Sequence, residues 1–266
     1  MHCPFVYIAA LRRSGSTILS ESLTDWPRAF IFREPSMSRG KLELKPDDIE
    51  RFAAIGIDLE EIRRRWVTCW RRNAIPRRLR NELLPRLEGQ IEQIGVKEIF
   101  HRNWERYLAA FPSMRVVVLG RDPRDIYLSL SERRARGVGL IASETFTPVS
   151  IATSLNEEFS RQRDMLARCE SMAVSYEELC EDPEALARVM EFVGSPLAAP
   201  GRAGQFNEAN PQRQVEAGVH GGRITSSRVA RWRQVEDPGL REAMHEVHAR
   251  MSEYNTFWGY ADAGHA

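Results

Sequence analysis

The stretch Phe5-Val6-Tyr7-Ile8-Ala9-Ala10-Leu11-Arg12-Arg13-Ser14-Gly15-Ser16-Thr17-Ile18-Leu19 decides the fold. Its apolar opening, Phe5 to Ala10, has the pattern of a strand buried on both faces. A polar turn containing Gly15 follows, and then a short helix is expected through Ile18, Leu19, Ser22 and Leu23. Strand, glycine-containing turn and helix together make a phosphate-holding architecture, because a helix start offers unpaired N–H groups and the positive end of the backbone dipole. The turn departs from the ATP-type pattern G-x-x-x-x-G-K-[ST] when Gly15 is aligned with its second glycine. Ala10 then replaces the first glycine, Ser16 replaces the lysine, and Thr17 keeps the Ser/Thr position. The cation instead precedes the glycine, at Arg13.

Arg28 to Phe32 predicts a second strand that ends at Arg33-Glu34-Pro35. Residues of about 46–95 read as a helical insertion. Within it, Asp47 caps a helix that Gly56 stops, and Leu59–Arg72 and Arg77–Ile94 carry apolar residues at helical spacing. The alternation resumes with a strand over Val96–Phe100, a helix over Trp104–Ala110, and the β-branched run Arg115–Gly120, which reads as a central parallel strand. Asp122 is the expected N-cap of the next helix, with Pro123 at its first position, and the same device recurs at Asp182-Pro183 and Asp237-Pro238. A helix from about Ile151 to Arg168 and a strand over Met172–Ser175 complete the pattern. The expectation is an α/β fold, a three-layer domain with a central, mostly parallel sheet and a single domain over residues 1–266. Residues of about 198–226, rich in Gly, Asn and Gln, are expected to form a flexible lid or loop.

The 266 residues carry 38 basic and 37 acidic side chains, a net charge of +1. That balance excludes a broadly basic nucleic-acid-binding surface and an acidic tail. Only Lys41, Lys45 and Lys97 are lysines; the remaining basic residues are arginines, whose forked guanidinium groups suit phosphate and sulfate oxygens. Cys3, Cys69, Cys169 and Cys180 have no C-x-x-C or His-linked spacing, so neither a metal site nor a disulfide framework is expected. No apolar run approaches the roughly 20 residues of a membrane span, and the N-terminus lacks a signal-peptide pattern. A cytoplasmic location is expected.

Four segments, in order, resemble the sulfotransferases that use 3′-phosphoadenosine 5′-phosphosulfate (PAPS). Arg13-Ser14-Gly15-Ser16-Thr17 after an apolar strand is similar to their 5′-phosphosulfate loop. Val117 to Asp125, with Ser129 eight residues after Arg121, resembles their 3′-phosphate element. Ser175-Tyr176-Glu177-Glu178-Leu179 is similar to a tyrosine segment near the adenine, and Ser226 to Trp232 to a late loop placing Ser227 at the cofactor. The resemblance implies a P-loop-like sulfotransferase architecture binding PAPS, with PAP (3′-phosphoadenosine 5′-phosphate) as product and no metal required. Arg13, Ser14, Gly15, Ser16, Thr17, Arg121, Ser129, Tyr176 and Ser227 are its cofactor-binding candidates. Arg133 joins them because it shares a helix face with Ser129, whereas Arg124 and Arg134 read as a solvated face. Two departures stand out. Arg12 occupies the place of the usual proline, and Arg228 interrupts the late small-residue run.

Arg13 is placed to neutralise charge on the leaving phosphate. A base must lie at a strand end facing the loop, which leaves Glu34, Glu98 and His101. Glu34, about twenty residues after Arg13, resembles the glutamate base of some branches and is preferred. Lys97 resembles a lysine that steadies the transferring sulfuryl group. The acceptor is a small molecule, glycan, lipid or peptide with a hydroxyl or amine, and the helical insertion is a candidate homodimer surface. Two other functions fit a phosphate-holding turn, a P-loop nucleotide kinase and a non-catalytic module binding adenine nucleotides. The kinase would want a lysine at position 16 and an acidic magnesium ligand after a strand, and the sequence has neither pattern.

Overall fold

The computed structural model describes residues 5–67, 74–137, 145–196 and 226–260. Five strands, β1 (Phe5–Ala10), β2 (Ala29–Arg33), β3 (Gln93–Glu98), β4 (Arg115–Gly120) and β5 (Glu170–Ser175), form one sheet in the order β2-β3-β1-β4-β5. Every neighbouring pair is parallel. The helices are α1 (Ser16–Ser22), α2 (Pro46–Ala53), α3 (Leu59–Val67), α4 (Ile75–Arg78), α5 (Glu105–Ala110), α6 (Pro123–Ala135), α7 (Pro148–Arg168), α8 (Tyr176–Glu181), α9 (Ala185–Val193), α10 (Pro238–Ala249) and α11 (Ser252–Trp258).

Side-chain alternation along β1 explains the layering. Phe5, Tyr7 and Ala9 face a core shared with Phe30, Phe32, Trp66, Trp104 and Tyr107. Val6, Ile8 and Ala10 face the opposite core, with Leu19 of α1, Leu23 just after it, and Val189 and Val193 of α9. One face is therefore aromatic, with the Phe5 and Phe111 rings stacked at 3.8 Å, and the other aliphatic. A one-residue slip would exchange these sets, so their difference in size holds the register. A third cluster gathers α6, α7, α10 and α11 beside Leu11.

The insertion ends earlier than its periodicity implies. Residues expected to be helical from Arg77 to Ile94 instead form the end of α4, a π turn over Leu79–Leu83 and a 3-10 turn over Leu84–Leu87. Pro85 supplies no amide donor and Gly89 takes a left-handed φ of 80°, so the helix cannot continue. The strand expected at Val96–Phe100 accordingly starts at Gln93 and stops at Glu98. Asp47 is not a cap: α2 starts after Lys45, whose N–H donates to the Asp48 carboxylate at 3.3 Å. Asp182 caps only a turn, and α9 begins at Ala185. The Asp122 and Asp237 caps are present, accepting from Arg124 N–H at 2.8 Å and Leu240 N–H at 2.6 Å.

Because all strands run parallel, the segments leaving their carboxyl ends gather along one edge: Leu11–Gly15, Glu34–Ser36, Ile99–Asn103, Arg121–Asp122 and Tyr176. Open α/β sheets bind ligands at that edge. The expected lid over residues 198–226 lies, apart from Ser226, outside the described residues, as do Cys3 and Cys69. No described helix is long and apolar enough to cross a membrane.

Candidate active site

The loop after β1 is a tight, left-handed turn. Arg13 has φ 68° and Gly15 φ 87°. The Ser14 hydroxyl donates to the Leu11 carbonyl at 2.7 Å, so this predicted ligand is turned into its own loop. Gly15 caps α1, and a Cβ there would stand 2.3 Å from Cδ2 of Tyr176, so only glycine fits beneath the ring. Ser16 is buried and Thr17 half-buried at the start of α1. Arg13 leans onto α6, where its Nε donates to the Ser129 hydroxyl at 3.0 Å. The two segments expected to hold phosphate thus meet in one contact.

Arg121, 6% exposed, staples three segments together. Its Nη1 donates to the Arg13 carbonyl at 3.0 Å, its Nη2 to the Arg228 carbonyl at 2.7 Å, and its guanidinium lies 4.4 Å from the Tyr176 ring centroid. Its backbone exchanges hydrogen bonds with the buried Tyr254 hydroxyl at 2.8 and 2.9 Å. The Nε donor is buried with no partner among the described residues. Burial, followed by the guanidinium groups of Arg133, Arg121, Arg228 and Arg136, lowers Arg13 to about 10. The loop is therefore a focus of like charge, which an anion would relieve. Burial also pushes the Tyr176 hydroxyl up to about 12.

Glu34 leaves β2 with φ 56°, and its carboxylate forms a short ion pair with Lys97 Nζ. The Lys97 side chain is 2% exposed and that of Glu34 36%, so the glutamate alone can meet an incoming group. Burial would raise the Glu34 carboxyl, but Lys97, Lys45 and Arg13 more than offset this and hold it below its ordinary value. It is ionised at neutral pH. Burial pulls the Lys97 ammonium down while Glu34 resists. His101 is fully buried, its Nδ1 bonded to the Tyr7 hydroxyl at 3.1 Å, and burial lowers it to about 3. Glu98 is 1% exposed, and burial raises it to about 8, opposed by Arg39, Tyr107 and the Ser36 amide.

A carboxyl raised in the folded chain holds its proton better there than in the unfolded chain. Stability from Glu98 is therefore present at low pH and declines as pH rises from the ordinary carboxylate range through about 8. Asp48 and Asp125, both raised by burial to about 6, act in the same sense over the lower part of that window. Glu98→Gln cannot ionise and is expected to flatten this decline. Thermal melts from about pH 5 to 9 check it, and an unchanged slope contradicts the assignment.

Residues 4–199, more than half the chain, match the profile described as the sulfotransferase family. The chain belongs to the sulfotransferase family. Its fold is similar to a sulfotransferase domain from the curacin biosynthetic pathway, with TM-score 0.66, 15% identity, and coverage of 94% of this chain and 98% of that one. A sulfotransferase from Alicyclobacillus acidocaldarius gives 0.54 and 14%, covering 97% and 96%. A mouse sulfotransferase complexed with PAP gives 0.51 and 12%, covering 98% and 90%. No curated protein matches the sequence.

In this sulfotransferase the remaining predicted residues are less central. Arg133 is half-buried and acts on Arg13 through its charge; Ser227 is exposed on a 3-10 turn beside Arg228. Arg134 is exposed, as expected, but Arg124 is not on a solvated face. It is 6% exposed, forks onto the Asp122 carboxylate with Nη2 at 2.7 Å, and lies 3.8 Å from the Trp232 ring centroid. The Asp-Pro cap and the late Arg-Trp pair are thereby one structural unit, closed by Trp232 N–H donating to Asp125 at 2.9 Å. Sequence reading missed the roles of Tyr254, the Arg228 carbonyl and Trp258, whose indole fills the space a Gly120 side chain would need. Only Gly120, at the end of an otherwise bulky strand, carried a signal.

Proposed function

We propose that the chain transfers a sulfuryl group from PAPS to a hydroxyl or amine of an acceptor. The observation that carries this reading is the convergence of Arg13, Arg121, Arg133 and Arg228 on one glycine turn, with the Arg121 Nε donor buried and unpartnered among the described residues. A phosphate oxygen would satisfy that donor and relieve the mutual repulsion. Gly15 also lets the Tyr176 ring pack directly against the turn, which sets an aromatic face beside the arginine focus where an adenine could stack.

When bound, PAPS supplies an activated sulfuryl group on a bisphosphate leaving group. The N–H groups of Gly15, Ser16 and Thr17 and the Arg13 guanidinium would hold its 5′ end. Arg121 and Ser129, with Arg133 beside them, would hold the 3′-phosphate, and Tyr176 would form the adenine side with Ser227 at the rim. Arg13 neutralises charge where it develops, and it needs no reorganisation because Ser129 already orients it. Glu34 accepts the acceptor's proton. That uptake neutralises Glu34 and leaves the buried Lys97 ammonium as the positive charge behind it.

Transfer of radiolabelled sulfate from PAPS to a panel of carbohydrate, phenol, lipid and peptide acceptors tests the reaction and identifies the acceptor class. Arg121→Ala tests the clamp. It is expected to weaken PAP binding by about 1.5 to 3 kcal/mol, the scale of a charged hydrogen bond. Calorimetric titration checks this, and a variant that loses turnover while keeping PAP affinity would show Arg121 to be misassigned.

A further inference from the structure

Glu98 was one of three candidate bases, yet its surroundings assign it other work. It ends β3 with only 1% of its surface exposed. Its Oε1 accepts from the backbone N–H of Ser36 at 2.9 Å and from the Tyr107 hydroxyl at 3.2 Å. An acceptor substrate cannot reach an oxygen so enclosed.

The Ser36 contact matters because of what precedes it. The chain leaves β2 through Glu34-Pro35-Ser36, in which Glu34 and Ser36 both take left-handed φ values, 56° and 57°. Side-chain-bearing residues rarely adopt that conformation, so such a turn persists only when its surroundings hold it. Two adjacent residues of β3 do so here. Glu34 N–H donates to the Lys97 carbonyl at 2.6 Å, and Ser36 N–H donates to the Glu98 carboxyl. The next residue pair of the β2–β3 ladder, Arg33 opposite Lys97, brings the Lys97 ammonium beneath the same turn.

We propose that Glu98 is the positioning residue of Glu34: by holding the Ser36 amide it fixes the turn after β2 and so keeps the Glu34 carboxylate on Lys97 at the loop edge. This rests on reading Glu34 as the base. The groups facing the pair are consistent with it. Lys97, Lys45 and Arg13 surround Glu34, while Arg39, Tyr107 and Tyr7 surround Glu98. Burial raises Glu98 to about 8, and the carboxylate that pairs with Lys97 is that of Glu34.

The test compares Glu98→Gln, which keeps the accepting oxygen, with Glu98→Asp, which withdraws it by one methylene. Two readouts are followed: amide hydrogen exchange at Ser36 and the carbon-13 NMR titration of the Glu34 carboxyl. With Gln, both are expected to stay close to wild type. With Asp, Ser36 is expected to exchange roughly tenfold faster, the effect of losing one hydrogen bond, and the Glu34 midpoint to rise towards the ordinary carboxylate range. An Asp variant with an unmoved Glu34 midpoint would overturn the proposal, as would a Gln variant that shifts as much as Asp. Should the Asp variant fail to fold, Ser36 exchange in the wild type decides, since core-like protection supports the anchor and loop-like exchange overturns it. Neither readout depends on turnover. If they behave as expected while Glu34→Gln keeps full turnover, the base assignment fails and the positioning stands.

Discussion

Glu34→Gln is expected to slow sulfuryl transfer by about 10² to 10⁴, the usual contribution of a positioned general base, while PAP affinity stays near wild type. Glutamine keeps the shape and one oxygen for Lys97 but cannot take a proton. The separation of effects follows from the geometry. Glu34 stands at the end of β2 and pairs with Lys97 on β3, whereas Arg13 and Arg121 follow β1 and β4; Arg13 acts on Glu34 through its charge, and glutamine leaves the Arg13 contacts with Ser129 and Arg121 in place. Single-turnover transfer of radiolabelled sulfate, run where chemistry limits, checks the prediction. An unchanged rate would remove Glu34 from the role of base. Some loss of thermal stability is also expected, because the buried Lys97 ammonium loses its ionised partner.

Gly15→Ala is expected to abolish measurable PAP binding, a loss of at least about 100-fold, or about 2.7 kcal/mol. The new methyl group would lie 2.3 Å from Cδ2 and 2.7 Å from Cε2 of Tyr176, at a φ of 87°. Something must move, and each choice damages the site. Displacing Tyr176 removes the ring from the Arg121 guanidinium, and displacing the loop moves the Arg13 carbonyl that Arg121 holds. Calorimetry with PAP measures the loss. Removing the ring as well, in Gly15→Ala with Tyr176→Ala, is expected to recover only part of it, because the left-handed strain remains.

Much of this fold was legible in the sequence for a physical reason. Strands buried on both faces must be continuous apolar runs, and Phe5–Ala10 and Arg115–Gly120 are unmistakable as such. The end of the insertion was not legible. Leu83, Leu87, Ile91 and Ile94 fall at helical spacing and are all buried, yet they occupy a π turn, a 3-10 turn, a loop and a strand. Tertiary packing buries them without a continuous helix. Pro85 was the local signal against one.

The candidate site divides in the same way. Arg13, Gly15, Arg121 and Ser129 stand at fixed offsets from strand ends, so their proximity follows once the strands are placed. The carbonyls that receive the Arg121 guanidinium lie on residues 13 and 228, and a backbone acceptor leaves no mark in residue identity. Arg124 was misread because charge on a helix usually means solvent, and its partner Trp232 is distant in sequence. The Glu34–Lys97 pair needed only the strand register, in which Arg33 lies opposite Lys97.

The arginine focus is expected to bind a 3′-phosphorylated adenine nucleotide without metal. The melting temperature of the chain with PAP, in the absence of magnesium, measures this against the same chain with Mg-ATP. A nucleotide at 100 times its dissociation constant stabilises the fold by about 2.7 kcal/mol, enough to shift the melting curve by a few degrees. That shift is expected with PAP, and little with Mg-ATP. Equal stabilisation by both, or by Mg-ATP alone, would contradict it.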